Sequence, residues 1–343
     1  MAQRTEPDTE LKLEGGLFGK NGGGRPAEAA RNSLAELKQN LLCRLASPSG
    51  KQRHKRYLGA PIRYAGGKSL AVGLVVERIP DTTRRVVSPF LGGGSVEVAC
   101  AVELDLPVIA SDVFDVLMTY WRVQLGDPKA LYERLLGFRP TVDEYYVAKE
   151  RLRKHWKGEL ALETELDVAA YFYFNHNTSY GPHFLGWPSR VYLQPHRYQS
   201  IIEKVRGFRA PNMSVACESF ETVIPKHVDD FLYCDPPYYL EGDSKTFIGM
   251  YPHRNFPIYH KGFRHDRLRD LLMEHKGGFV LSYNDCSTIR EWYRGLNMVA
   301  PEWQYTFSQG DTRIGENRLK RNNGSHIKHS HELIIWREAD ATG

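Results

Sequence analysis

Cysteine is scarce in this chain of 343 residues. Its five cysteines are scattered and odd in number, and no C-x-x-C pair occurs; they are Cys43, Cys100, Cys217, Cys234 and Cys286. This pattern argues against a disulfide framework and against a zinc site, so we predict no bound metal. We expect reduced cysteines and a cytoplasmic protein.

Long apolar runs are also missing. No stretch approaches the roughly 20 apolar residues of a membrane span, and the polar residues 1–20 lack a signal-peptide core. Apolar residues make up 41% of the chain and charged residues 25%, as in ordinary globular proteins. We therefore expect a folded protein that does not enter a membrane.

Neither sign of charge dominates, because the formal net charge is only +5. The positive charge is nevertheless uneven, with strongly basic stretches at 51–56 and 313–331. Such stretches suit a polyanionic partner, and a solvated basic face explains them almost as well.

The order of apolar patterns predicts an α/β fold. Short strand-like runs alternate with helical patterns from Ile62 onward, at 85–88, 108–111, 214–217, 230–234, 278–283 and 333–336. This alternation favours a largely parallel sheet with ligands at the carboxyl ends of its strands. Residues 1–56 read as an N-terminal extension in which Leu34, Leu37, Leu41 and Leu45 predict one helix within 26–45. Residues 127–207 interrupt this alternation of strands and helices, so we predict an inserted, mainly helical subdomain there.

The most informative motif is Asp235-Pro236-Pro237-Tyr238, directly after the apolar run 231–234. Each proline fixes its own φ and removes an N–H, so a carboxylate, a free carbonyl and an aromatic ring are held close together. These groups suit a flat base with an exocyclic amine, because Asp235 and the carbonyl of Pro236 can each accept one amine hydrogen while Tyr238 stacks on the ring. The competing interpretation is a strand-end turn whose tyrosine covers the core.

A glycine turn, 92–94, follows the strand-like run 85–88, and the next strand ends in Ser111-Asp112 about twenty residues after the turn begins. Glycines let the backbone approach a ligand, and a carboxylate at this spacing commonly binds ribose hydroxyls. Alone, the turn is equally compatible with NAD, with a flavin or with a purely structural role; Asp112 favours a cofactor that contains adenosine. Gly66-Gly67-Lys68-Ser69 is not a phosphate loop, since Ile62 stands where that motif requires glycine.

Taken in order, the segments 64–68, 89–96, 111–112 and 233–238 resemble the Dam-like DNA adenine-N6 methyltransferases over about residues 57–338. The resemblance implies a Rossmann-like fold that binds S-adenosyl-L-methionine, with 57–126 and 208–338 as the catalytic domain and 127–207 as a target-recognition insertion. It also implies that the methyl group goes to the N6 amine of a flipped adenine in double-stranded DNA. Ser88 departs from the family, which usually has an acidic residue there.

The resemblance assigns roles to individual residues. Asp235, Pro236 and Tyr238 are implied to be catalytic. The cofactor-binding residues it implies are Tyr64, Lys68, Phe90, Gly92, Gly94, Asp112, Ser219, Phe220 and Asp235. Lys68 is assigned to the methionine carboxylate and Asp112 to the ribose hydroxyls.

DNA contacts are predicted in the insertion and in the basic tail. The insertion mixes aromatic and cationic side chains, which suits groove contacts and wedging beside a displaced base; they are Tyr171, Tyr173, Tyr180, His183, Arg190, His196 and Arg197. A small aromatic core under a basic surface explains any one of these residues at least as well. Asn175 is also predicted to contact DNA, because it lies in the segment 174–181, which loosely resembles the stretch with which the family reads its target. In the tail, Arg318, Lys320 and Arg321 are expected to bind the phosphate backbone.

Two other functional classes remain open at the level of sequence. One is a methyltransferase acting on RNA adenine or on protein glutamine, and the other is a DNA-binding relative without activity. We expect a monomer or weak dimer associated with DNA, and a cognate restriction endonuclease is a possible partner.

Overall fold

The computed structural model describes residues 32–47, 53–239, 262–301 and 332–339. The described residues from 33 onward belong to one structural unit. Its centre is a seven-stranded sheet made of β1 (Val86–Ser88), β2 (Val108–Ser111), β3 (Met213–Ala216), β4 (Phe231–Cys234), β5 (Phe279–Asn284), β6 (Asn297–Val299) and β7 (Glu332–Arg337).

The sheet order is β3-β2-β1-β4-β5-β7-β6. Strand β7 is antiparallel to both neighbours, and the other pairings are parallel. Strands β4 and β5 are buried at every position, as expected for the middle of a parallel sheet covered on both faces. The order reverses at β1, which lies between β2 and β4, so a ligand crevice is expected where β1 and β4 end, and this region is called the crevice below.

The sheet confirms the predicted α/β fold. Six strand-like runs in the sequence correspond to β1–β5 and β7, and their bounds differ by no more than about a residue or two. Strand β6 was not predicted, because it is three residues long and only partly covered, which leaves little hydrophobic pattern.

Helices cover the sheet and fill the interval between β2 and β3. In chain order they are α1 (Leu34–Leu45), α2 (Val72–Glu77), α3 (Ser95–Val98), α4 (Asp115–Gly126), α5 (Pro128–Leu136), α6 (Val142–Trp156), α7 (Glu165–Asn177), α8 (Pro195–Gly207), α9 (Phe220–Lys226), α10 (His265–Glu274) and α11 (Ser287–Trp292). A π-helical turn, Ala99–Glu103, continues α3. None of these described helices is long and apolar enough to cross a membrane.

Helix α1 lies within the range predicted for the N-terminal extension. Ser33 starts it through a capping box, in which its hydroxyl accepts the N–H of Glu36 and the carboxylate of Glu36 accepts the N–H of Ser33. Leu41 and Leu45 are buried, and the helix packs against α2. The rest of the predicted range, residues 26–31, lies outside the described residues.

Helices α5–α8 fall in the segment predicted as an insertion. Helix α7 packs against α4, α5 and α6, and its residues 168–177 are buried on all sides. The ring of Phe138 stacks on Phe174 with centroids 4.6 Å apart and meets Tyr171 edge-on at 5.0 Å. Tyr171 and Tyr173 are therefore core residues and not groove contacts, because helices on several sides of α7 bury both side chains.

Candidate active site

The glycine turn after β1 forms one wall of the crevice. Gly92 and Gly94 have φ values of +47° and +65°, which favour glycine. A Cβ atom at Gly94 would lie 2.7 Å from the ring of Trp121, and one at Gly93 would overlap Tyr64. Trp121 also donates its indole N–H to the carbonyl of Gly92 at 3.0 Å, which fixes the turn against α4.

Asp112 connects the end of β2 to this turn. Its Oδ2 accepts the N–H of Gly92 and its Oδ1 accepts the N–H of Phe114, both at 3.1 Å. Burial raises the pKa of Asp112, while these backbone N–H groups act in the opposite direction. Since each carboxylate oxygen can accept more than one hydrogen bond, Asp112 keeps acceptor capacity for ligand hydroxyls.

Tyr64 packs on the same turn from the preceding loop. Its ring stacks on His176 of α7 with centroids 5.3 Å apart. Burial lowers the pKa of His176 to about 3, so the imidazole is neutral. Next to Tyr64, Arg63 donates its backbone N–H to Oδ1 of Asn177 at 2.9 Å and its guanidinium to the carbonyl of Asn177 at 2.7 Å. The loop that carries Tyr64 is thus joined to the end of α7.

Phe90 and Phe220 come together on the other side of the glycine turn. Their ring centroids are 5.5 Å apart, and Phe263 lies 5.1 Å from Phe220. These aromatic faces suit a flat apolar ring system. Ser219 lies beside them, where its hydroxyl accepts the N–H of Glu221 at 3.3 Å and begins α9.

Asp235 lies where the chain leaves β4, next to the end of β1. Oδ1 of its carboxylate lies 2.8 Å from Nζ of Lys68, which also donates to the carbonyl of Gly66 at 2.9 Å. Burial is the main cause that raises the pKa of Asp235 to about 6; Lys68 opposes this shift and Glu332 adds to it. The sequence assigned Lys68 to the cofactor, whereas in the structure its nearest anion is Asp235.

The rest of the motif is enclosed. Pro236 is buried and Tyr238 is 7% exposed. Nζ of Lys68 lies 4.9 Å from the centre of the Tyr238 ring, in cation–π contact. The hydroxyl of Tyr238 donates to Oε1 of Glu332, and Asn284 donates its amide N–H to the carbonyl of Tyr239 at 2.7 Å.

Sequence reasoning missed three acidic or amide side chains at this edge of the sheet: Glu97, Asn284 and Glu332. Glu97 is buried in α3, where its Oε1 accepts the hydroxyl of Ser88 at 2.6 Å, and burial raises its pKa to about 8. A usable signal existed for two of them, because Glu97 and Glu332 are charged residues that interrupt or adjoin buried apolar runs. Among the described residues, no cluster of three or more His, Cys, Asp or Glu side chains is arranged to hold a metal ion.

The loop between α7 and α8 is the exposed part of the region. Tyr180 is 67% exposed, Trp187 is 73% exposed, and Arg190 is also exposed. The N–H of Tyr180 donates to the carbonyl of Trp187 at 2.7 Å, and Lys149 supports the loop by donating to the carbonyl of Gly186 at 2.9 Å. Trp187 was not singled out from sequence, although an exposed tryptophan between glycine and proline marks a loop tip.

Asn175 does not join this surface. It is fully buried, and its Oδ1 accepts the N–H of Leu185 at 2.9 Å, which anchors the loop from below. Direct contact between Asn175 and DNA, as predicted, is incompatible with this arrangement. Arg318, Lys320 and Arg321 lie outside the described residues.

The family model for D12 class N6 adenine-specific DNA methyltransferases matches residues 64–307. The chain belongs to this family. The matched range contains the crevice residues described above except Arg63 and Glu332. It confirms the family that the ordered motifs predicted from sequence.

Sequence identity to individual relatives is low, but the similarity extends over most of the chain. The chain is 25% identical over 289 residues to the type II methyltransferase M.FokI of Planomicrobium okeanokoites, covering 78% of this chain and 43% of that protein. It is 23% identical over 264 residues to the type II methyltransferase M1.LlaDCHI of Lactococcus lactis subsp. cremoris, covering 72% and 88% of the two chains. It is also 23% identical over 269 residues to a DNA adenine methylase of Vibrio cholerae serotype O1, covering 75% and 92%. The chain thus spans less than half of the first relative and about nine-tenths of the other two.

Proposed function

We propose that this protein transfers a methyl group from S-adenosyl-L-methionine to the N6 amine of a flipped adenine in double-stranded DNA. The observation that carries the proposal is the meeting of the Gly92–Gly94 turn and the carboxylate of Asp235 at the ends of two paired strands, β1 and β4. Membership of the D12 class and relatives named as DNA adenine methylases support the same activity.

The residues around the glycine turn fit S-adenosyl-L-methionine. Phe90 and Phe220 offer aromatic faces for its adenine, Asp112 offers carboxylate oxygens for its ribose hydroxyls, and the glycines let the turn pack directly against Tyr64. Ser219 caps a helix beside this wall and is the weakest of the proposed cofactor contacts. When bound, the cofactor supplies a methyl group on a positively charged sulfonium.

On the side of the target base, Asp235 and the carbonyl of Pro236 are proposed to accept the two hydrogens of the adenine amine. The amine is a poor nucleophile because its lone pair is delocalised into the ring, and two acceptors favour a pyramidal nitrogen aimed along one direction. Fixing that direction accounts for much of the catalysis. No side chain needs to act as a strong base.

Stacking of the base on Tyr238 requires a change at Lys68, whose ammonium now lies over the ring and against Asp235. We assign Lys68 to the methionine carboxylate, as the sequence implied. Because an ammonium has three N–H donors, Lys68 can turn from the ring toward that carboxylate and still donate to one oxygen of Asp235, which leaves the other oxygen for the adenine amine.

DNA contact is proposed for the loop between α7 and α8. Tyr180 and Trp187 present exposed rings, which can fill the space left by an extruded base, and Arg190 can reach phosphates or guanine edges. Extrusion costs a few kcal/mol, which such contacts must offset. The tail residues Arg318, Lys320 and Arg321 remain proposed phosphate contacts.

The organisation proposed from sequence is retained. Residues 57–126 and 208–338 form the catalytic domain, 127–207 the target-recognition subdomain and 1–56 an extension. We propose a monomer or weak dimer that acts on DNA in the cytoplasm. Because two relatives are named type II methyltransferases, a cognate restriction endonuclease is a proposed partner.

The test is transfer of tritium from methyl-labelled S-adenosyl-L-methionine to double-stranded DNA, RNA and protein offered separately. We expect label in DNA as N6-methyladenine, and none with Asp235→Ala. Label in RNA adenine or protein glutamine instead would overturn the substrate assignment. Cofactor binding without transfer to any of the three would indicate a catalytically silent relative.

A further inference from the structure

Glu332, the first residue of β7, is a carboxylate at a position where burial is costly. It is 3% exposed, and it lies directly opposite Asn284 in the β5–β7 pairing. A buried carboxylate destabilises a fold unless other groups compensate it. The groups that contact Glu332 therefore indicate its role.

Two of those groups belong to the proposed reaction. The hydroxyl of Tyr238 donates to Oε1 of Glu332, and Nζ of Lys68 lies 3.8 Å from the same oxygen. Lys68 is at the same time 2.8 Å from Asp235. One carboxylate oxygen thus faces both the ring proposed to stack on the base and the ammonium paired with the proposed acceptor.

The neighbouring strand adds a second attachment. Asn284, across from Glu332, donates to the backbone carbonyl of Tyr239 at 2.7 Å. Two cross-strand partners therefore hold consecutive tyrosines, one by its side chain and one by its backbone. A ring attached at its hydroxyl and followed by a fixed backbone has little freedom to tilt.

We propose that Glu332 is a positioning residue for methyl transfer, which fixes the ring of Tyr238 through its hydroxyl and holds the ammonium of Lys68 close to Asp235. This inference rests on the proposed function. Glu332 does not touch the reacting atoms and acts only through Tyr238 and Lys68.

The charges around Asp235 give the inference a second, independent signature. Lys68 lowers the pKa of Asp235. Burial raises the pKa of Glu97 in α3 and of Tyr233 and Cys234 in β4, and the charge of Asp235 in turn adds to this effect. Glu332 raises the pKa of Asp235. Replacing Glu332 with neutral glutamine removes that effect, so the acid limb of the activity profile should move to lower pH.

The experiment compares single-turnover methyl transfer in Glu332→Leu, Tyr238→Phe and the double variant, with Glu338→Gln as a control on an exposed carboxylate beyond the same strand. If Glu332 acts through the hydroxyl, each single variant should be slower by roughly ten-fold and the double variant no slower than the slower single one. Glu332→Gln keeps an oxygen that can accept the hydroxyl, and its pH profile should shift downward while that of Tyr238→Phe stays in place. Multiplicative effects in the double variant, or an unmoved profile in Glu332→Gln, would overturn the proposal.

A measurement without activity separates this proposal from the proposed function. 3-Fluorotyrosine at position 238 should give one narrow fluorine resonance in the otherwise unchanged protein and a shifted or broadened one in Glu332→Leu. Thermal denaturation establishes that each variant is folded. If the resonance responds in this way but no variant, including the parent protein, transfers methyl groups, the positioning role stands and the proposed function fails. An identical resonance in Glu332→Leu would overturn the positioning role itself.

Discussion

The crevice at the ends of β1 and β4 and the loop between α7 and α8 differ in how their functional groups meet solvent. In the crevice, Glu97 and Glu332 are almost fully buried and Asp235 is partly buried, and these side chains contact Ser88, Tyr238 and Lys68, respectively. In the loop, Tyr180 and Trp187 are large rings left in water on a backbone that is hydrogen-bonded across its base. Electrostatic interactions are stronger in the low dielectric of the crevice. The exposed rings of the loop contribute to binding only when a partner covers them and removes their apolar surface from water.

This difference predicts that substitutions can impair methyl transfer in the crevice and DNA binding by the loop independently. The largest effect should come from Asp235→Ala. Loss of one of two acceptors should cost about 2.7–4 kcal/mol of transition-state stabilisation, by analogy with a lost oxyanion donor. Methyl transfer measured in single turnover should fall by about a hundred-fold or more, while DNA affinity in a gel-shift titration changes little. Asp229→Ala, which removes an exposed carboxylate six residues earlier, is the matched control.

A second prediction concerns stability in the crevice. The pKa of Glu97 is raised to about 8 in the folded protein from an ordinary 4.5, so the folded state keeps a proton that the unfolded chain releases as the pH rises between these values. Stability should therefore fall with increasing pH in this window by up to about 1.4 kcal/mol per pH unit. Glu97→Gln should flatten that slope in urea denaturation measured from pH 5 to pH 8. Equal slopes in both proteins would mean that Glu97 does not hold the proton.

On the loop, Trp187→Ala and Tyr180→Ala should weaken DNA binding and base extrusion. Stacking of a base on an aromatic side chain contributes about 1–3 kcal/mol, so we expect roughly ten-fold weaker binding for each variant. The fluorescence of 2-aminopurine at the target position reports extrusion, and calorimetry should show an unchanged cofactor affinity. Val191→Ala is the control, because it truncates an exposed apolar side chain of the same loop without removing a ring. If that control behaves like the aromatic variants, the rings have no special role.

The smallest effect we predict is a shift in the pH profile of Lys68→Ala. Lys68 lowers the pKa of Asp235, which stands at about 6, and an acceptor must be ionised. Without Lys68 the pH of half-maximal activity should move upward, and cofactor binding should weaken because a charge-assisted contact is lost. An unshifted profile would mean that Lys68 does not act on Asp235 during catalysis.

More of the crevice than of the loop could be predicted from sequence, because its residues stand at the ends of recognisable strands. Asp112, Asp235 and the glycine turn each follow a short buried apolar run, and parallel strands bring such ends together. The contact between Lys68 and Asp235 joins residues far apart in the chain and leaves no local pattern. The same holds for Glu332, whose partners lie on other strands.

Burial in the insertion was harder to predict. Tyr173 and Asn175 carry polar groups, and their place in the core follows only from the packing of α7 among three other helices. The loose family resemblance of this segment therefore did not show that Asn175 is buried. Tyr180, three residues beyond the end of α7, escapes that packing and is exposed.

Strand β7 follows β6 in the chain but lies between β5 and β6 in the sheet. During synthesis, β6 leaves the ribosome before β7, and the edge of β5 that pairs with β7 in the described sheet waits for the same strand. Glu332 arrives with β7, so its contact with the hydroxyl of Tyr238 forms only then. A growing polypeptide therefore contains the glycine turn and Asp235 before the described sheet is complete.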